Sequence, residues 1–195
     1  MLLTEQRPEL KEMLHESLTR AANEVAQGHG GVYAFVLYPS SGFVDIGVAF
    51  SIRNSLVRLA EKGAEVHVEN EDPYLGSNVY YEVNASEWEF FYTDFPEVNG
   101  LLADNYDDFY EAGIEPEEIS RFFEDLLIEI MSQLKADGTL SPGPFEEDLL
   151  FGIQFPDASG AEIDIMERAS QALNSPSWHH KIRTHCAALK RILGE

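Results

Sequence analysis

Three groups of side chains in this sequence have types and spacings that could do chemistry. Glu87 and Glu89 flank Trp88, and in an extended strand both carboxylates would share one face, as a general acid and base require. Asp104, Asp107, Asp108 and Glu111 fall on one expected helix and could gather Ca²⁺ or Mg²⁺. His179, His180, His185 and Cys186 offer nitrogen and sulfur donors. Each group meets an objection. Acid-rich sequence throws up spaced carboxylates by chance, and the alternating oxygen ligands and central glycine of a dedicated Ca²⁺ loop are absent. Structural zinc commonly uses CxxC or HxxxH pairs; neither occurs, and on a helix only His179 and Cys186 would share a face. No GxSxG nucleophile motif is present. Gly28-His29-Gly30-Gly31 precedes a strand rather than opening a helix and lacks the lysine of a phosphate loop. The residues therefore predict no catalytic group, no metal and no cofactor. Glu87, Trp88, Glu89, Asp104, Asp107, Asp108 and Glu111 are predicted instead to bind a partner.

The elements that must position them can be read from periodicity. Residues 8–27 carry Leu10, Met13, Leu14, Leu18, Ala21, Ala22 and Val25 on one helical stripe. Val32 to Tyr38 is nearly all apolar, as a strand buried on both faces would be, and Phe43 to Phe50 follows a turn as its antiparallel partner. Ser51 is placed to cap a helix from Ile52 to Lys62, and Glu65 to Glu69 alternates like a strand. Val79 to Val83 reads as a further strand, followed by Ala85 to Tyr92 around Trp88. Phe95 to Ala112 reads as a helix with Val98, Leu101, Leu102, Tyr106, Phe109 and Tyr110 on one side. Pro116 opens the clearest helix, to about Ala136, whose stripe runs from Ile119 to Leu134. A strand at Leu149 to Phe155 and helices at about 160–173 and 177–193 complete the chain. Early strands and late helices predict an α+β fold, one domain over 1–195, with a mixed, mainly antiparallel sheet of about four to six strands and about five to six helices.

Charge is distributed unevenly. The 195 residues carry a formal net charge of −22, yet 16 of the 35 acids lie in the 58 residues between Lys62 and Arg121, which contain no Lys or Arg. Tyr74, Tyr80, Tyr81, Trp88, Phe90, Phe91, Tyr92, Tyr106, Phe109 and Tyr110 interleave them. Steering carboxylates beside aromatic anchors suit a protein interface, the alternative being a solvated acidic surface that keeps the protein soluble. At 44% hydrophobic and 11% aromatic residues the chain is no acidic disordered tail. Its charge excludes a phosphate-backbone binder and a protein docked on anionic membrane. The sequence shows no apolar signal segment and no membrane span, and Cys186 stands alone, so a cytoplasmic location is expected.

Gly31-Val32-Tyr33-Ala34-Phe35-Val36-Leu37-Tyr38, Ser86-Glu87-Trp88-Glu89 and Glu167-Arg168-Ala169-Ser170-Gln171-Ala172-Leu173-Asn174 resemble, in order and separation, the first strand, the Glu-Trp signature and the closing helix of the bacterial domain of unknown function 4303. The resemblance covers roughly residues 30–176, with Ala169 where a serine is usual and Tyr80-Tyr81 near the position of a tryptophan. It implies no enzyme activity; it implies an immunity protein in bacterial toxin–antitoxin competition. Together with the charge, the expectation is a cytosolic acidic binding protein that neutralises a basic toxin, such as a nuclease, by occlusion. The alternatives are an enzyme or metal-dependent hydrolase using the acidic cluster, and an adaptor or DNA mimic.

Overall fold

The computed structural model describes residues 2–58 and 73–194. The apolar stripe at the start of the chain forms α1 (Leu2–Gly28), whose Leu10, Leu14, Leu18, Ala21, Ala22 and Val25 are all buried. The helix starts six residues before the predicted position 8 and runs through Pro8. On either side of the proline Arg7 (2.7 Å) and Lys11 (2.6 Å) both pair with Glu129, fastening this turn to a later helix.

The sheet has four strands in the order β3-β2-β1-β4 among the described residues. β1 (Val32–Pro39) and β2 (Ile46–Ile52) form the predicted antiparallel hairpin, with Val36 opposite Ala49. β3 (Phe90–Tyr92) extends it antiparallel to β2, and β4 (Phe145–Ile153) lies parallel to β1 on the other side. β1 is thus central, and its near-unbroken burial matches its apolar run. Ser51 pairs with Ala34 inside the sheet instead of capping a helix; helical residues 53–58, α2, follow directly. The remainder of the helix predicted to Lys62 and the strand predicted at Glu65–Glu69 lie outside the described residues.

Two corrections concern the middle of the chain. Val79 to Val83 is not a strand but the short helix α3 (Asn78–Val83). Its β-rich composition is overridden by Ser77, whose hydroxyl caps the helix by accepting from the Tyr80 N–H at 3.2 Å. Residues Ala85–Glu87 form a 3₁₀ turn, so only the last three residues of the predicted 85–92 segment are strand. Gln154 fixes this turn from afar: its side chain accepts from the Ala85 N–H (2.8 Å) and donates to the Val83 carbonyl (2.7 Å).

The later helices fall where their caps predict. α4 (Pro96–Glu111) and α5 (Pro116–Ala136) each open on proline, and α5 stops at Asp137 and Gly138, whose φ of 80° favours glycine. α6 (Gly160–Leu173) starts in a Ser159–Glu162 capping box, and α7 (Pro176–Leu193) on Ser175 and Pro176. A single hydrophobic cluster runs from α1 through the sheet to α7, joining α5 to α6 and α6 to both β4 and α7. The architecture is α+β, with a mixed sheet in which antiparallel pairs outnumber the parallel one. Among the described residues no helix is long and apolar enough to cross a membrane.

Candidate functional site

The seven residues predicted to bind a partner separate into two environments. Glu87, Trp88 and Glu89 are tied into the molecule. Tyr80 donates its hydroxyl to Glu87 at 2.9 Å, and Arg58 donates to Glu89 at 2.6 Å, with Ser55 on the same oxygen at 3.1 Å. Trp88 is 4% exposed, its indole Nε1 donates to the Tyr81 carbonyl at 3.1 Å, and the Tyr33 ring meets it edge-on. It is a core residue. Because 85–87 is a 3₁₀ turn, the shared strand face that would have aligned Glu87 and Glu89 does not form.

Asp104, Asp107, Asp108 and Glu111 have the opposite character. They recur at the i, i+3, i+4, i+7 spacing of one face of α4, all exposed, while Val98, Leu102, Asn105 and Phe109 turn the other side into the core. None of the four pairs with a base among the described residues. Glu115, Glu117 and Glu118 continue the exposed acids into the first turn of α5. Tyr110, grouped by the sequence reading with the apolar side of α4, points to solvent and is 67% exposed. One helical position separates it from buried Phe109, and that rotation of about 100° carries it out of the core.

The helix field treats these acids unequally. The α5 acids sit at a helix N-terminus, where the partial positive charge favours them, whereas Asp108 and Glu111 lie in the last turn of α4, which holds no base. Asp108→Asn and Glu111→Gln are expected to raise stability by roughly 0.3–1 kcal/mol each at low salt, and Glu117→Gln and Glu118→Gln to lower it by similar amounts. Thermal melts of the four variants check the signs, which should converge towards zero as salt is added.

A second ionic cluster was not legible in the sequence. Arg53, at the start of α2, grips Glu146 with two bonds of 2.8 Å, reaches Glu82 at 3.0 Å and lies 4.4 Å over the Tyr33 ring. Lys181 of α7 meets the other Glu82 oxygen at 2.5 Å and sits over Trp178. Lys181 of the last helix thereby neutralises one carboxylate of the acid-rich middle. These partners come from four separate elements, so no linear motif announces them. Their mutual saturation makes the cluster a clasp joining α2, α3, β4 and α7.

His185 and Cys186 lie on the buried side of α7, while His180 is exposed. Burial pushes the Cys186 thiol up to about 12, which removes the thiolate that metal binding or nucleophilic attack needs. Among the described residues no three His, Cys, Asp or Glu side chains converge as a metal site. His185 lies among the Tyr74 and Tyr80 rings, its Nδ1 without a hydrogen-bond partner, and burial lowers its pKa from 6.5 to about 4. Above pH 6.5 the folded and unfolded chains are both neutral here and nothing is lost. As pH falls from 6.5 to about 4 only the unfolded chain takes up the proton, so stability is expected to drop by up to about 3 kcal/mol, and no further below that window. Urea unfolding across this range should show the slope, and His185→Phe, which keeps a ring between the tyrosines, should flatten it.

No protein-family model, curated protein or solved structure matches this chain.

Proposed function

We propose that this protein binds and masks a basic protein, using the acid face of α4 and the start of α5. The observation that carries this reading is the stripe of Asp104, Asp107, Asp108 and Glu111: exposed, without basic partners among the described residues, and extending into a helix end whose field opposes it. Some carboxylates of the chain are used internally instead, Glu82 between Arg53 and Lys181 and Glu124 against Arg168 being examples. Charge held at a local cost and directed outwards suits electrostatic steering of an oppositely charged partner. Tyr110 supplies an exposed ring beside the stripe, in the role the sequence reading gave to Trp88.

The finer reading is an immunity protein that occludes a cognate basic toxin, a nuclease being one basic class. The strand, Glu-Trp and closing-helix resemblances support it, and so does the acidic charge, since a nucleic-acid-cleaving partner must itself present basic surface. No catalytic role is assigned to any residue. The test is direct binding to the purified protein encoded by the adjacent gene, across salt from about 0.05 to 0.5 M, over which the Debye length shrinks from roughly 14 to 4 Å. Association that slows steeply with salt is expected. Absence of binding to a basic neighbour, or binding indifferent to salt, overturns the reading.

A further inference from the structure

The two edges of the sheet are treated differently. β4 is closed: the Asn174 side chain accepts from the Phe151 N–H at 2.8 Å and donates to the Phe151 carbonyl at 2.6 Å, the two bonds a neighbouring strand would make. Trp178 adds a third by donating to the Asp148 carbonyl at 2.9 Å. Among the described residues no side chain closes the β3 edge in this way. The strand pairs with β2 on one side and with no strand on the other among the described residues. An uncovered edge offers alternate backbone N–H and C=O groups to any extended chain, which is why proteins usually block it.

β3 also has somewhere to put the side chains of an added strand. Phe90 and Tyr92 point to the α1 side of the sheet, where Phe90 stacks on Phe50 and packs against His29; Phe91 points to the opposite side, against Tyr38, and is 45% exposed. A cleft flanks the strand on each face. One, of about 320 Å³, is lined by Val25, His29 and Tyr92 with Glu24 and Glu89 at its rim. The other, of about 390 Å³, is lined by Tyr38, Gly47, Phe91 and Asn99 with Asp45 at its rim. Successive side chains of a strand point to opposite faces, so an added strand would drop alternate side chains into the two clefts.

We propose that the β3 edge receives an extended basic peptide segment of a partner as an additional strand. The charge around the edge selects the occupant. Glu24, Asp45 and Asp94 are all exposed around it, against Arg20 near Tyr92, while Arg58 and Glu89 hold each other. A peptide alternating lysine with β-branched residues would lay its apolar groups on the Phe91 face and turn its lysines to the opposite face, where Glu24 lines the cleft. A second copy of this chain would bring like charges edge to edge at a net charge of −22 per chain. This inference does not rest on the α4 face, which lies on a different element.

The probe is a blocked heptapeptide of alternating lysine and valine, with a control of the same charge in which the central valine is proline. Backbone amide exchange and chemical shifts are followed by NMR on the full chain. The alternating peptide is expected to slow exchange in the Phe90–Tyr92 stretch by at least about tenfold at saturation, and the proline peptide, which lacks a donor for pairing, should not. Phe91→Lys should weaken peptide binding by about tenfold or more without moving the melting temperature, because its side chain is exposed. Asp104→Lys with Asp107→Lys and Asp108→Lys should leave the β3 protection in place, which separates failure here from failure of the α4 reading. Equal binding of both peptides would mean charge attraction alone and overturn the proposal. So would β3 amides unaffected by the peptide, or already protected before it is added. Peptide-free protection that rises with protein concentration would give the edge to a second copy and overturn it equally.

Discussion

Replacing Trp88 with alanine is expected to lower the unfolding free energy by about 3–5 kcal/mol, the usual loss when a buried aromatic is truncated to leave a cavity. The side chain is 4% exposed and meets Tyr33 edge-on, so its removal opens space between β1 and the 3₁₀ turn before β3. Against a total stability of roughly 5–15 kcal/mol this is a large fraction. Trp88→Phe keeps one aromatic ring but loses part of the indole volume together with the bond from Nε1 to the Tyr81 carbonyl, so it should cost more than the about 1 kcal/mol of the bond alone and less than the alanine variant. Urea unfolding at neutral pH measures both. A Trp88→Ala protein that melts like the parent would return this residue to the surface and to the list of contact candidates. Tyr110→Ala is the complementary variant, expected to leave the melting temperature unchanged because its ring is in solvent.

The contrast between Trp88 and Tyr110 shows where the sequence was readable and where it was not. Helical periods sustained over several turns and closed by strong caps located α5, α6 and α7 to within a residue or two, because Pro116, the Ser159–Glu162 box and Ser175-Pro176 act locally. β1 was legible as a central strand because only a doubly buried strand tolerates so long an apolar run. The stretch from Ser77 to Tyr92 failed because its elements are too short for periodicity to outvote composition. Val79, Tyr80, Tyr81 and Val83 look like strand, yet one serine cap and two hydrogen bonds from Gln154 hold a helix and a 3₁₀ turn there.

The site divides on the same line. The acids of α4 are exposed by helix geometry alone, so their placement followed once the helix was recognised. The fate of Glu87 and Glu89 depended on Tyr80, Ser55 and Arg58, and that of Glu82 on Arg53 and Lys181. Such pairings are set by tertiary contacts that residue spacing does not encode. Among the described residues the acidic middle thus has a part neutralised by bases from α2 and α7 and a part on α4 that pairs with no base.

That division carries the second large effect, on binding rather than folding. Asp104→Lys with Asp107→Lys and Asp108→Lys changes the net charge by six and places it all on one exposed face. If this face steers a basic partner, association should slow by roughly 10–10³-fold at low salt, the range that steering fields supply. The same variant should fold at least as well as the parent. The three new ammonium groups repel one another as the carboxylates did, but those at positions 107 and 108 gain Glu111 as an i+4 and i+3 partner, and the one at 108, in the last turn, is favoured by about 0.3–1 kcal/mol. Opposite signs on stability and on binding are what distinguish a functional face from a surface kept acidic for solubility. Stopped-flow association with the partner and thermal melts on the same samples give the two signs. Glu87→Gln with Glu89→Gln is the control: both carboxylates already serve internal donors, so it should cost stability through their lost bonds while leaving the association rate within about twofold. Unchanged association in the triple lysine variant would leave the α4 acids as a solubility feature, and a fall in association equal to that of the control would move the docking face away from α4.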